Sequence, residues 1–221
     1  MLELFNRKES ISISIFIMWL INISGFFGII SDQRDFFLSS TPFVLAFTLL
    51  ILILNQGFDK KGILTISLIF LSGLIVEILG ANYSLFFGSY EYGNNLGPKI
   101  FNVPIVIGFN WVLLVIITGN LADKISKNNS ILKIFFGSIL MVILDLLIEI
   151  VAPKIDYWEF DINPVPLSNY LWWFIFSLLF HYIYQNNVQV KEYLLSINIL
   201  IIHFIFFLSL IHISEPTRPI D

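Results

Sequence analysis

Cysteine is missing from the chain altogether. Without a thiol there is no disulfide, no thiolate metal site, no iron–sulfur cluster and no cysteine nucleophile. Histidine is nearly as scarce, and His181, His203 and His212 stand far apart. A di-iron oxygenase site needs several His or carboxylate ligands at helical spacing, and no such His cluster exists. Any oxygen this chain adds to a substrate is therefore expected to come from water. Charge is the third shortage. Only 13% of the 221 residues are Asp, Glu, Lys or Arg, against about a quarter in a soluble domain. The net charge of −4 comes with no basic patch and no interleaved aromatics, so nucleic acid is excluded as a partner.

Hydrocarbon fills the chain instead. It is 57% hydrophobic, holds 23 phenylalanines and has a mean hydropathy of +0.86. Such a composition belongs in a lipid bilayer, with membrane lipid as its surroundings. Apolar runs cover residues 11–30, 42–55, 63–80, 103–121, 131–151 and 169–185, and a seventh starts near Tyr193. The first follows Arg7 and Lys8 but lacks a small-residue cleavage site, so it reads as an uncleaved span. Arg7, Lys8, Lys60, Lys61, Lys124, Lys127, Lys133 and Lys191 fall on one side of these runs, and Arg34, Lys99 and Lys154 on the other. That imbalance places the amino terminus in the cytoplasm. The expected fold is all-α: a polytopic membrane helical bundle of about seven transmembrane helices in the plasma membrane. No repeat, low-complexity stretch or linker divides it, so residues 1–207 read as one domain. Residues 208–218 resemble the in-frame translation of a transposon-type sequencing adapter, and the native gene is expected to break off near Phe207. The tail 208–221 is left out of the functional reading as a scar.

One stretch breaks the apolar pattern. "FFGSYEYGNNLGPKIFNVP", residues 86–104, carries the helix breakers Gly88, Gly93, Gly97 and Pro98 among Phe86, Phe87, Tyr90, Tyr92 and Phe101. Non-helical backbone at membrane depth survives only when it is buried in protein or lines a cavity. Three carboxylates fall inside predicted spans: Glu77, Asp145 and Glu149. A charge at mid-bilayer costs about 2.5–3.5 kcal/mol on insertion scales, so intramembrane acids suggest function. All three lie toward the outer ends of their spans, at the depth of Asn110, Trp111, Trp172 and Trp173. Asp145 and Glu149 are four residues apart and share a helix face. With no Lys or Arg at that depth, at least one carboxyl is expected to hold its proton and serve as a donor. The bland alternative is hydrogen-bonded helix glue. His181 reads as a packing residue, and Tyr157 and Trp158 as interfacial belt residues.

Four motifs then follow in order: "FGSYEYGNNLGP" after Glu77, "VPIVIGFNW", "ILDLLIEIVAP" and "VPLSNYLWWF". Together they resemble the integral membrane carotenoid biosynthesis family of bacterial carotenoid 1,2-hydratases and haloarchaeal bisanhydrobacterioruberin hydratases. The resemblance covers residues 73–185. The chain departs from the pattern at Glu149, where Asp is usual, and at Leu171 and Trp172, where a small residue is common. The resemblance implies addition of water across the terminal double bond of an acyclic carotenoid end, on an acyclic or monocyclic C40 or C50 polyene. It implies Glu77, Asp145 and Glu149 as the catalytic residues, and Phe87, Tyr90, Tyr92, Asn110, Trp111, Asn169 and Trp173 as the substrate-binding set. No metal or other cofactor is called for, and other carotenoid-pathway enzymes are possible partners. Two alternatives stay open at this point. A membrane lycopene cyclase would begin with the same protonation, and a proton-coupled transporter or pigment binder would also place acids in a bundle.

Overall fold

A computed structural model of the chain describes residues 7–126 and 129–214. Lys127, counted above for orientation, and the end of the adapter-like tail lie outside the described residues. The helices are α1 (Arg7–Ile29), a short α2 (Arg34–Ser39), α3 (Thr41–Gln56), α4 (Lys60–Tyr83), α5 (Ile105–Ser126), α6 (Ser130–Val151), α7 (Leu167–Asn187) and α8 (Tyr193–Ser214). The chain is thus an all-α bundle. Among the described residues, five helices are long and apolar enough to cross a membrane: Arg7–Ile29, Lys60–Tyr83, Ile105–Ser126, Ser130–Ile155 and Tyr193–Ile213. α3 is a shorter apolar helix, 16 residues long. α7 has the length, but Asn169, Trp172, Trp173, His181 and Tyr184 replace aliphatic residues along it.

α5 forms the axis of the bundle. It is apolar on every face, and a helix of that kind must be surrounded. Leu113, Leu114, Val115, Ile116 and Ile117 are fully buried, and α3, α4, α6, α7 and α8 all pack against it. The outer helices turn large apolar side chains outward, among them Phe16 and Phe27 on α1, Phe43 and Leu54 on α3, and Leu64 and Leu71 on α4. That surface suits lipid, where tails replace water and apolar exposure costs nothing. Tight turns close the ends. Asp59 caps α4 through the amide of Gly62 at 2.7 Å, and Asn129 caps α6 through that of Leu132 at 3.0 Å.

The breaker-rich stretch does not remain a loop. Residues 90–92 form strand β1 (Tyr90–Tyr92), and β2 (Lys99–Ile100) pairs with β3 (Val103–Pro104) as a second small ladder. The partner of β1 is β4 (Trp158–Phe160), from the connection between α6 and α7. The register sets Tyr90 opposite Phe160, Glu91 opposite Glu159 and Tyr92 opposite Trp158. These strands are absent from the sequence expectation, because each is only two or three residues long and has no periodicity to read. Gly93 follows β1 because the chain passes hard against the backbone of Asp156, where a Cβ would collide. The amides of Gly93 and Asn95 donate to the carbonyls of Tyr157 and Asp156, and Asn95 Nδ2 donates to the Ile155 carbonyl at 2.9 Å. The 86–104 stretch is thereby fastened to the end of α6.

Candidate active site

The site is built on one face of α4. Gly73, Glu77 and Gly80 follow each other at helical spacing, so the carboxylate sits in a bare stripe. Gly73 lets the Trp111 ring of α5 lie against the helix, since a Cβ there would come within 2.7 Å of the indole. Gly80 does the same for Phe87 and for the Tyr90 hydroxyl. Into that stripe reach three donors. Tyr90 Oη and Tyr92 Oη donate to Glu77 Oε2 at 2.7 and 2.8 Å, and Trp111 Nε1 donates to Oε1 at 2.9 Å. Tyr90 and Tyr92 both arrive because side chains two apart on a strand share a face. Glu91 between them is exposed. Trp111 is fully buried and stacks on Trp173 of α7, with ring centres 4.1 Å apart and planes 10° from parallel.

The second acidic group comes from the last two turns of α6. Glu149 accepts from Trp158 Nε1 at 2.9 Å and from Asn169 Nδ2 at 3.0 Å. Asn169 stands in the first turn of α7 and also reaches Asp145 Oδ2 at 3.4 Å. One amide thus bridges the two carboxyls of α6. Glu77, Asp145, Glu149 and Asn169 are all buried.

Glu77 and Glu149 face a common cavity. Phe87, Tyr90, Tyr92, Asn110, Asn169 and Trp173, six of the residues singled out in the sequence, line it with them. Two expected residues stand behind its wall. Asp145 is reached through Asn169, and Trp111 through its hydrogen bond to Glu77 and its stack on Trp173. Trp158 and Phe160 also line the cavity, and the sequence reading missed both as site residues. Trp158 is not a belt residue, because its indole N–H points inward to Glu149. Tyr157 is buried and shares a hydrogen bond with Thr41 at 2.8 Å, so it too is no headgroup anchor. The one available signal was position: Trp158 follows Glu149 closely, in a connection that must fold back over the end of α6. His181 is the packing residue expected. It is fully buried, with Nε2 2.9 Å from Thr118 Oγ1 and Nδ1 2.8 Å from the Ser177 carbonyl. Among the described residues, no three His, Asp or Glu side chains gather closely enough to hold a metal ion.

Chemically, the cavity places two carboxyl groups from different helices against aromatic faces, with fixed donors on both. Residues 39–217 match a protein family described as "Carotenoid biosynthesis protein". The chain belongs to that family. The matched segment takes in α3 to α8, both acidic groups and every residue of the cavity. No curated protein and no solved structure matches the chain. Family membership assigns this membrane protein a role in carotenoid biosynthesis and a carotenoid polyene as substrate.

Proposed function

We propose that this carotenoid biosynthesis protein is a hydratase that adds water across the terminal double bond of an acyclic carotenoid end. The observation that carries the reading is the pair Glu77 and Glu149, facing one small cavity between aromatic rings. Glu149, backed by Asp145 through Asn169, gives its proton to the less substituted carbon of the terminal double bond. The C–H bond forms from the π electrons, and the adjacent carbon becomes a tertiary cation. The ring faces of Tyr90, Trp158, Phe160 and Trp173 suit that cation, since an aromatic quadrupole attracts positive charge. A water attacks it and forms the C–O bond. Glu77 takes the proton that this water loses, held ready by three donors that match an acceptor. A proton passing from Glu77 back to Glu149 resets the site, and substrate plus water has become a tertiary alcohol. These steps need only the side chains named.

We place the site on the outer face, in the plasma membrane. α1 and α3 to α8 are read as seven alternating spans, with the amino terminus cytoplasmic. In support, Arg7 pairs with Glu192 at 3.7 Å and Lys133 with Asp123 at 2.6 Å, both at the end opposite the acids. Reporter fusions at Asn94 should report the outer side, and fusions at Lys124 the cytoplasm. The reverse pattern would overturn the orientation.

The reaction is tested by expressing the chain in a lycopene-producing host and growing it in oxygen-18 water. The product should be heavier than the substrate by one labelled water. Label from dioxygen would overturn the hydratase reading. A product isomeric with the substrate would mean that a neighbouring double bond captures the cation, as in a cyclase.

A further inference from the structure

A second, larger cavity opens beside the acidic one. Its walls are α1, α3, α5 and α8, with Ile21, Gly25, Leu45 and Phe206 among the side chains that form them. On the α1, α3 and α8 side these residues are only half-buried, whereas Ile107 of α5 and Ile148 of α6 at the inner wall are buried. The cleft thus opens between outer helices and closes toward the centre of the bundle. Apart from Asn110, its few polar side chains are engaged with neighbours. Thr41 and Tyr157 bond each other at 2.8 Å, Asn22 donates to the Met18 carbonyl at 2.8 Å, and His203 Nδ1 lies 2.8 Å from the Ile199 carbonyl. Such a wall asks nothing of a ligand but apolar contact.

The two cavities share three lining residues: Ile107, Asn110 and Trp158. These form a partition with hydrocarbon on one side and carboxyl groups on the other. Asn110 is half-buried, and among the described residues its amide has no protein hydrogen-bond partner. A polar group in that position costs free energy unless something in the cavity pairs with it.

We infer that the cleft between α1, α3, α5 and α8 holds the hydrocarbon chain of the polyene, and that the chain end crosses at Ile107, Asn110 and Trp158 to reach the acids. The inference rests on the hydratase reading for what happens at that end, but not for the binding itself. Sharing this wall with the acidic cavity is what favours the substrate over an ordinary acyl chain as the occupant. Asn110 then marks the boundary where hydrocarbon gives way to water, and its free amide is placed to hold the attacking water. Gly25 tolerates a side chain in the mouth: a Cβ there would meet only the Phe206 ring, at 4.0 Å, which is ordinary contact.

The absence of cysteine makes the test clean. Gly25→Cys puts a thiol in the cleft, and Leu50→Cys puts one on the exposed face of α3. Alkylation of each purified protein by N-ethylmaleimide in detergent is timed with and without lycopene. With ligand at about ten times its Kd, about a tenth of the sites stand open, so alkylation of Gly25→Cys should slow about tenfold. Leu50→Cys should not change. Equal rates at both positions, or equal slowing at both, would overturn the inference. So would the same protection of Gly25→Cys by a phospholipid, which would make the cleft a lipid site. Gly25→Phe should block turnover, and Gly25→Ala should leave it. Protection without any hydrated product would sink the hydratase reading and leave the cleft standing. Hydrated product without protection would do the opposite.

Discussion

α7 carries a buried polar cluster at each end, and the two are unlike. At its first turn, Asn169 joins the acids Asp145 and Glu149 beside a cavity. At its last turn, roughly 22 Å further along at 1.5 Å per residue, Tyr184 joins Gln56, Asn120 and Ser196. In this second cluster Asn120 Nδ2 donates to Gln56 Oε1 at 2.8 Å and to Ser196 Oγ at 2.8 Å. Tyr184 Oη donates to Asn120 Oδ1 at 2.6 Å and accepts from Gln56 Nε2 at 2.7 Å. Every member of that ring is buried and neutral, and none lines the two cavities beside the acids. It clamps α3, α5, α7 and α8 together, and its donors and acceptors are engaged with each other and with the backbone carbonyls of Val190 and Glu192. The acidic cluster has the same depth of burial, but its Glu149 keeps one side open to space. Polar groups buried in an apolar bundle are thus not alike. A closed network holds helices, and a network with an open side has capacity left for a substrate.

The comparison is broken most directly at the acids. Glu77→Gln, Asp145→Asn and Glu149→Gln keep size and most hydrogen bonding but remove the titrating proton. At least one of them should reach wild-type levels in the membrane and form product about 10²-fold more slowly, or worse, the scale of general acid–base catalysis. Full activity in all three would make the acidic cluster a second clamp and return the chain to the binder or transporter class. A smaller fall tests the unforeseen Trp158. Trp158→Phe keeps an aromatic ring in the wall and removes the donor to Glu149, a change of roughly 0.5–1.5 kcal/mol. Product formation should drop by about threefold to tenfold with little loss of folded protein. An unaltered rate would show that the Trp158 N–H does not position Glu149.

The other end should respond in the opposite currency. Asn120→Leu strands the partners of a four-way amide, which should cost roughly 1–3 kcal/mol of stability. The thermal unfolding midpoint should fall, while product formed per folded molecule stays level. Loss of activity at unchanged stability would mean that the two clusters are coupled through α5 and α7. The smallest effect is expected at Glu159, whose side chain points outward from β4. Glu159→Gln should change neither measurement. Glu3, another acid outside the predicted spans, lies outside the described residues and offers no such comparison.

The sequence by itself determined the chemistry of this protein's interior. Its apolar runs had to become helices, because in lipid each backbone group must be satisfied within its own segment. Glu77, Asp145 and Glu149 were visible as costly groups at one depth, and the spacing of Asp145 and Glu149 already put them on one face. The ordered motifs from Phe87 to Trp173 carried the family. The tertiary structure decided which of these residues meet an open space. Asp145 and Glu149 look equivalent in the sequence, but only Glu149 faces the cavity, because the rotation of α6 is set by packing against α5 and α7. Trp158 and Phe160 enter the site through the pairing of β1 with β4, across some seventy residues of chain, and strands that short leave no pattern to read. The first two spans, silent in the sequence, supply α1 and α3 as walls of the larger cleft. Periodicity is a local property of the chain and fixes what each helix is made of. A cavity is the space left where several helices fail to touch, and no single segment encodes it.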